Sequence, residues 1–327
     1  MKVLVTGGAG YIGSHAIRTL RRNGHDVLVY DDFSTGHEFA VRGFEVVRGN
    51  IGDRQALLPA MRGVDAVMHF AAFINVGESV ERPRRYFENN VVRALNLLDT
   101  TLDAGVRRFI FSSTAAVYGD PAKVPISEES ALQPANPYGT TKLLLEQALE
   151  AYRAAYGLQF VALRYFNAAG ADANAETGEL HDPETHLIPS ALQAAAGLRP
   201  QLSLFGEDYP TPDGTCVRDY IHVEDLAQAH VLALEHLAAH GQSLALNLGA
   251  GEGYSNRQVL TEVERVTGKP LPVTICPRRL GDPPQLIAKS DKARQLLGWK
   301  PQHSLHDMVA SAWQWMKASQ LSGKVRQ

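Results

Sequence analysis

Seven residues near the amino terminus constrain this chain more than any others. Gly7-Gly8-Ala9-Gly10-Tyr11-Ile12-Gly13 follows directly on the apolar, strand-length run Lys2 to Thr6. Gly8, Gly10 and Gly13 satisfy G-x-G-x-x-G, and Gly7, Gly10 and Gly13 satisfy G-x-x-G-x-x-G. Such a loop turns tightly, lets the backbone approach a pyrophosphate, and opens a helix whose free amides attract negative charge. A purely structural glycine turn can carry the same letters, so context decides. The next apolar run, Asp26 to Tyr30, ends at Asp31-Asp32, close to the ~20-residue spacing expected of an acid that holds a dinucleotide ribose. A carboxylate at Asp31 accepts from a 2′-hydroxyl and repels a 2′-phosphate, which points to NAD rather than NADP.

The same strand-then-helix rhythm continues. Glu45 to Arg48, Ala66 to Phe70, Arg108 to Ser112 and Gln159 to Arg164 are further short apolar runs, nearly continuous in Val, Ile, Leu and Phe. That pattern fits strands covered on both faces. Between them lie segments of helical period, such as Val91, Val92, Leu95, Leu98 and Leu102 before Gly105. The alternation predicts an α/β chain with a Rossmann-type doubly wound parallel sheet. The rhythm then breaks. Ala171 to Pro189, Tyr209 to Gly214 and Cys276 to Pro284 read as irregular, and Leu244 to Leu248 again reads as a sheet strand. We expect a cofactor domain over residues 1–170, rejoined by segments near 215–250, and a smaller C-terminal substrate lobe drawn mainly from 171–327. The chain of 327 residues is long enough for two such units.

Composition narrows the function classes. With 32 basic and 35 acidic residues the net charge is −3, which disfavours a broad nucleic-acid or anionic-membrane surface. No apolar run approaches the ~18 residues of a membrane span, and the short run before Gly7 is no signal peptide. Two cysteines, Cys216 and Cys276, exclude a disulfide scaffold and favour a reducing compartment, so a cytoplasmic location is expected. The 12 histidines form no H-E-x-x-H and no Cys/His cluster. His181 and His186 sit in an irregular acidic stretch, and no metal is expected.

Asn136-Pro137-Tyr138-Gly139-Thr140-Thr141-Lys142 reads as a helix start, with Asn136 as cap and Pro137 at the first helical position. Tyr138 and Lys142 then share one helix face. A free phenol, with pKa near ~10, is a poor base at neutral pH. A nearby ammonium and a positive nicotinamide ring would both favour the phenolate, which could then act as general base. Phe111-Ser112-Ser113-Thr114-Ala115-Ala116-Val117-Tyr118-Gly119 follows the fifth strand and brings hydroxyls to the carboxyl edge of the sheet, where open α/β folds bind ligands.

With these elements assembled, the chain resembles the extended short-chain dehydrogenase/reductase family over nearly its whole length. The resemblance rests on Gly7 to Ser14, His69-Phe70-Ala71-Ala72, Val76-Gly77-Glu78-Ser79, Asn89-Asn90-Val91, Phe111 to Gly119, Tyr138 to Lys142, Arg164-Tyr165-Phe166-Asn167, Arg218-Asp219-Tyr220-Ile221-His222-Val223 and Pro277-Arg278-Arg279-Leu280-Gly281-Asp282. It implies a homodimeric enzyme that interconverts UDP-glucose and UDP-galactose with tightly held NAD. By the same resemblance Tyr138, Lys142 and Thr114 are catalytic. Gly7, Gly10, Tyr11, Ile12, Gly13, Asp31, Asp32, Asn50, Ile51, Phe70, Ala71, Asn90, Tyr138, Lys142 and Phe166 would hold NAD. Thr114, Asn167, Leu187, Phe205, Arg218, Arg279, Asp282 and Leu286 would hold the UDP-sugar. An arginine's planar donor set suits a diphosphate.

Four positions depart from the family pattern. Asn50 replaces an aspartate near the adenine, Ile74 a polar residue before Val-Gly-Glu-Ser, Thr114 a frequent serine, and Leu286 a bulky tyrosine of some members. A sugar 4,6-dehydratase would share the loop and the Tyr/Lys pair, but it needs Asp-Glu after the threonine. Here those places are Ala115 and Ala116, which move no protons. A sugar-acid decarboxylase expects glutamate at Ala116 and fails likewise. A non-catalytic NAD-binding regulator has no need of the Tyr/Lys pair.

Overall fold

The computed structural model describes residues 1–279 and 282–321. Seven strands build the central sheet: β1 (Lys2–Thr6), β2 (Asp26–Asp31), β3 (Glu45–Arg48), β4 (Ala66–His69), β5 (Arg108–Ser112), β6 (Gln159–Tyr165) and β10 (Leu244–Leu248). They are all parallel, in the order β10-β6-β5-β4-β1-β2-β3. The strand order reverses between β1 and β4, and ligands of open α/β sheets bind outside the carboxyl ends at such a switch point. The late run at Leu244 crosses back to pair with Val161 to Tyr165.

Both faces of the sheet are covered along its inner strands, which explains their unbroken apolar runs. The edge strand β3 departs from the expected burial: Glu45, Val46 and Arg48 are exposed, because an edge strand has a neighbour on one side only. Val3 and Val5 face one core with Ile17 and Leu20 of α1 (Tyr11–Arg22) and Leu226 and Leu234 of α8 (Val223–His240). Leu4, between them, faces the other. There it meets Leu57 of α2 (Arg54–Ala60), Leu97 and Leu98 of α5 (Arg93–Asp103), and Leu145 and Leu149 of α6 (Pro137–Tyr156). Each such fully buried side chain contributes about 1.5–3 kcal/mol, so misregister by one residue is strongly disfavoured.

Two further local expectations need correction. The helical run begun at Val91 opens instead as a π-helical turn, Glu88–Val92, before α5. The Asn90 side chain turns inward there, its amide accepting from Phe73 N and donating to Phe73 O. The extra residue rotates Val92 off the apolar stripe, leaving it exposed. The irregular stretch also ends sooner, because α7 (Leu187–Ala195) already includes Pro189. Proline in a first turn lacks only an N–H that would have had no helical partner.

Small sheets and helices form the rest. β7 (Asn167–Ala169) pairs with β9 (Val217–His222), which also pairs with β11 (Gly253–Ser255) and β13 (Gln285–Leu286), while β8 (Leu202–Phe205) pairs with β12 (Val273–Cys276). α7, α9 (Asn256–Thr267) and α11 (Leu305–Leu321) share a third apolar cluster around Ile188, Val259 and Val309. α3 (Val76–Glu81) and α4 (Pro83–Phe87) lead into the π turn, and α10 (Asp291–Leu297) packs Ala293 and Leu297 onto the main core.

Candidate active site

The glycine loop sits at the switch point. Gly7 has φ +74°, and a Cβ on it would lie 2.5 Å from Ala71 N. A Cβ on Gly13 would lie 2.2 Å from the Gly7 carbonyl oxygen, so α1 can pack against the loop only through glycine. α1 starts at Tyr11 behind Gly10 with no side-chain cap and no acidic residue in its first turn. Its N–H groups are thereby left for an anion, and these features together fit a dinucleotide pyrophosphate.

Asp31 closes one side. Its carboxylate accepts from Ala9 N at 2.9 Å and from Phe33 N at 2.8 Å. Burial raises its pKa, and these two bonds work against that rise. Each oxygen keeps a second lone pair for a ribose hydroxyl. Asp32 accepts from Ser34 N and, at 2.7 Å, from the Asn50 amide, whose own oxygen accepts from Gly52 N. Burial would raise Asp32, but the bonds from Ser34 and Asn50 prevail and hold it low. The departure at Asn50 thus acquires a reason: a carboxylate there would face Asp32 with like charge, whereas an amide donates. Ile51 is buried and its carbonyl accepts from Asn96. The ring of Phe70 packs on His230 with centroids 4.7 Å apart, and Ala71 stands over Gly7. Asn90 spends its amide on Phe73 and on Thr141 Oγ1, which makes it a brace for the loop after β4. Ile12 packs on the main core, and the Tyr11 hydroxyl donates to the Gly170 carbonyl at 2.6 Å. Ile74 is exposed.

The hydroxyl-bearing edge of β5 meets the first turn of α6. Asn136 caps α6 by accepting from Gly139 N at 2.9 Å, which fixes the direction in which Tyr138 enters. Tyr138 N also donates to Ser79 Oγ, tying the Val76 to Ser79 motif to the same turn. Thr114 caps the short 3-10 turn Ala115–Tyr118, accepting from Ala116 N, and its side chain works to lower the Tyr138 phenol. Lys142 Nζ donates to the Ser112 carbonyl at 2.8 Å and lies 6.0 Å from the Tyr138 ring centroid. The lowering of Tyr138 expected from that ammonium is not found: burial pushes the phenol up to about 12, with Thr114 opposing. Burial likewise brings Lys142 down to about 7, with Glu146 opposing.

Around these residues lies a buried network in which one member, Glu146, escapes a reading of the sequence by motif. The Tyr165 hydroxyl pairs with Ser112 Oγ at 2.6 Å, and Ser113 Oγ donates to Glu146 at 2.5 Å. Glu146 forms a buried ion pair with Arg164, which also donates to the Tyr118 hydroxyl at 2.9 Å. Glu146 stands one further turn along the Tyr138–Lys142 face, which was the available signal.

The proposed sugar-side residues fall into two groups. Leu286 is paired with Arg218 across β13 and β9, and Arg218 Nη2 lies 3.8 Å from Asp282. Leu286 also packs, with Phe166, on Val117, Tyr118 and Ile126. Asn167 donates to the Asp219 carbonyl. In the second group the Arg279 guanidinium lies 3.9 Å from the ring centroid of Phe205. Leu280 and Gly281, between the groups in sequence, lie outside the described residues. Leu187 begins α7 and packs into the third cluster.

A fold of this strand order with this loop and Tyr/Lys pair defines a dinucleotide-dependent enzyme class. The model of the NAD dependent epimerase/dehydratase family matches residues 3–249, and the chain belongs to that family. A UDP-glucose 4-epimerase of Halalkalibacterium halodurans is 51% identical over 320 residues, covering 97% of this chain and 96% of its own. The crystal structure of a UDP-glucose 4-epimerase from Stenotrophomonas maltophila, with bound NAD and formylated UDP-arabinopyranose, is 43% identical, with TM-score 0.96 over 98% of this chain and 99% of that one. That of the Brucella ovis enzyme in complex with NAD is 50% identical, with TM-score 0.94 over 96% and 98%.

Proposed function

We propose that this chain interconverts UDP-glucose and UDP-galactose by transient oxidation at the sugar's C4 carbon. The observation that carries the reading is the junction of Thr114, Tyr138 and Lys142 at the sheet edge beside the glycine loop. Tyr138, whose phenol Thr114 works to lower, takes the proton of the 4-hydroxyl and later returns it. Lys142, held on the Ser112 carbonyl, supplies positive charge beneath the phenol. Bound NAD supplies the hydride acceptor and a positive ring that favours the phenolate. Gly7, Gly10, Tyr11, Ile12, Gly13, Asp31 and Asp32 would hold it from the loop side, with Asn50, Ile51, Phe70, Ala71, Asn90 and Phe166 around it. Asn167, Leu187, Phe205, Arg218, Arg279, Asp282 and Leu286 would hold the UDP-sugar. Because the sugar is oxidised and reduced in one visit, the cofactor is regenerated in each turnover. The dehydratase reading loses support at Ala115 and Ala116, which are methyl groups where a second acid and base would be needed.

The division into a cofactor domain at 1–170 with 215–250 and a sugar lobe from the remainder is part of the same reading. So are a role in galactose metabolism, a cytoplasmic location supported by free Cys216 and Cys276, and a homodimer. No helix of the described residues is long and apolar enough to cross a membrane. Val92 and Leu144, on neighbouring elements, are exposed apolar side chains that a second copy would cover, and sedimentation mass tests that arrangement. For the chemistry, Tyr138→Phe keeps the ring and removes the ionisable oxygen. Turnover is expected to fall by at least ~100-fold while UDP-sugar binding persists. Near wild-type epimerisation by that variant removes Tyr138 as the base. Wild-type protein is further expected to develop NADH-like absorbance when UDP-sugar is added.

A further inference from the structure

We propose that Glu179, His181, Glu184 and His186 form a structural site for one divalent transition-metal ion, of which zinc is the type. All four belong to the irregular stretch between β7 and α7, and one ligand atom from each lies within 4.8 Å of the others. His181 Nδ1 is 3.2 Å from Glu179 Oε1 and 3.8 Å from Glu184 Oε2. His186 Nδ1 is 3.7 Å from Glu184 Oε1 and in hydrogen-bond contact with Glu179 Oε1. Tetrahedral zinc with ligands at about 2.1 Å places neighbouring donors ~3.4 Å apart, within the spread of these separations. The linear spacing matches no familiar signature, which is why the amino-acid order alone led to no metal being expected.

Charge supplies an independent reason. The Glu179 and Glu184 side chains are 6% and 3% exposed. Among the described residues neither pairs with a lysine or arginine, and two imidazoles face them instead. Two carboxylates withdrawn from water repel each other, and a divalent ion neutralises both while imidazole nitrogen and carboxylate oxygen complete its shell. Glu184 is oriented for this: its Oε1 accepts from Thr185 N and His186 N at 2.7 and 2.8 Å, leaving Oε2 toward His181. The Glu179 carbonyl is anchored by Trp315 Nε1 at 3.0 Å. Such support around ligands is typical of built metal sites. Four protein ligands leave no open position, which assigns the ion a structural role. The loop rests on α1 and its surroundings through Ser14 to Thr177 at 2.8 Å and His37 to the Leu180 carbonyl at 3.0 Å. The ion would therefore pin this loop over the first turns of α1.

The test takes full-length protein, strips it with a chelator, and titrates it with Zn²⁺ against a chromophoric competitor and with Co²⁺ by visible absorption. One equivalent per chain, a tetrahedral cobalt spectrum and a zinc-dependent rise in thermal midpoint are expected. His181→Ala and His186→Ala should weaken zinc binding by more than about tenfold and abolish the cobalt spectrum. Glu179→Gln preserves shape and should act in the same direction, which separates lost ligation from lost folding. His240→Ala, at the exposed end of α8, should bind as wild type does. Absence of stoichiometric binding in wild type, or equal affinity across wild type and the three ligand variants, overturns the site whether or not the chain is an epimerase.

Discussion

At the residue scale, Asp31 and Leu286 show how far a side chain's role depends on what already uses its atoms. Both Asp31 oxygens are committed once, to Ala9 N and Phe33 N, so the carboxylate shapes the loop as well as facing a ribose. Asp31→Ala is expected to weaken NAD binding and relax discrimination against NADP. Equilibrium binding of both cofactors measures this, and an unchanged preference rules out Asp31 as the discriminating acid. Leu286 lies on the apolar cluster with Phe166, shorter than a tyrosine and without a polar tip. Room beside the sugar's 2-position would let UDP-N-acetylglucosamine serve as a secondary substrate, its methyl gaining about 0.8 kcal/mol of apolar contact. An unpaired acetamide N–H would cost ~1–3 kcal/mol, so activity on this sugar is expected to be the lesser one. Leu286→Tyr should suppress it selectively. The ratio of kcat/KM values for the acetylated and plain sugars decides the matter, and an equal loss of both activities defeats the gate reading.

At the scale of elements, α6 does most to place chemistry, and its direction is legible in the amino-acid order alone. Asn136 and Pro137 announce the start, and the i and i+4 spacing puts Tyr138 and Lys142 on one face. Its N-cap bond to Gly139 holds the first turn. Asn136→Ala is expected to lower stability by ~1 kcal/mol and to reduce kcat more than it raises KM, because the turn that aims Tyr138 loosens. Denaturant unfolding and steady-state kinetics check the two halves separately, and an unchanged kcat would show that packing alone aims the tyrosine. The π turn ahead of α5 is not legible in the same way. Its cause is the long-range bond between Asn90 and the Phe73 backbone, which periodicity does not encode.

At the scale of the whole molecule, burial holds several imidazoles neutral. His69 and His222 are brought down to about 3, and His230 to about 4, chiefly by desolvation. In the unfolded chain each titrates near ~6.5, so between that pH and about 4 the unfolded state binds more protons and stability falls with acidification. A loss of about 2 kcal/mol per buried imidazole is expected by pH 5 relative to pH 7. Glu224, which burial would raise, is held down to about 2 by His15 and Arg22, and its contribution is lost at still lower pH. Chemical denaturation at pH 7 and pH 5 measures the difference. Equal unfolding free energies at the two values would falsify the claim that these rings are buried uncharged.

What the amino-acid order determined by itself is local and periodic. The strand runs, the glycine loop, the acid at the end of β2 and the Tyr138–Lys142 face all follow from spacings of a few residues, because backbone geometry repeats at that range. The tertiary structure alone decided which distant groups share a dielectric environment. It withdrew Tyr138 and Lys142 from water, so that burial raises the phenol and lowers the ammonium. It also set Glu146 on Arg164, turned Asn50 toward Asp32, and gathered Glu179, His181, Glu184 and His186. Charge interactions and desolvation depend on distance through space and on exclusion of water, neither of which is written in sequence separation.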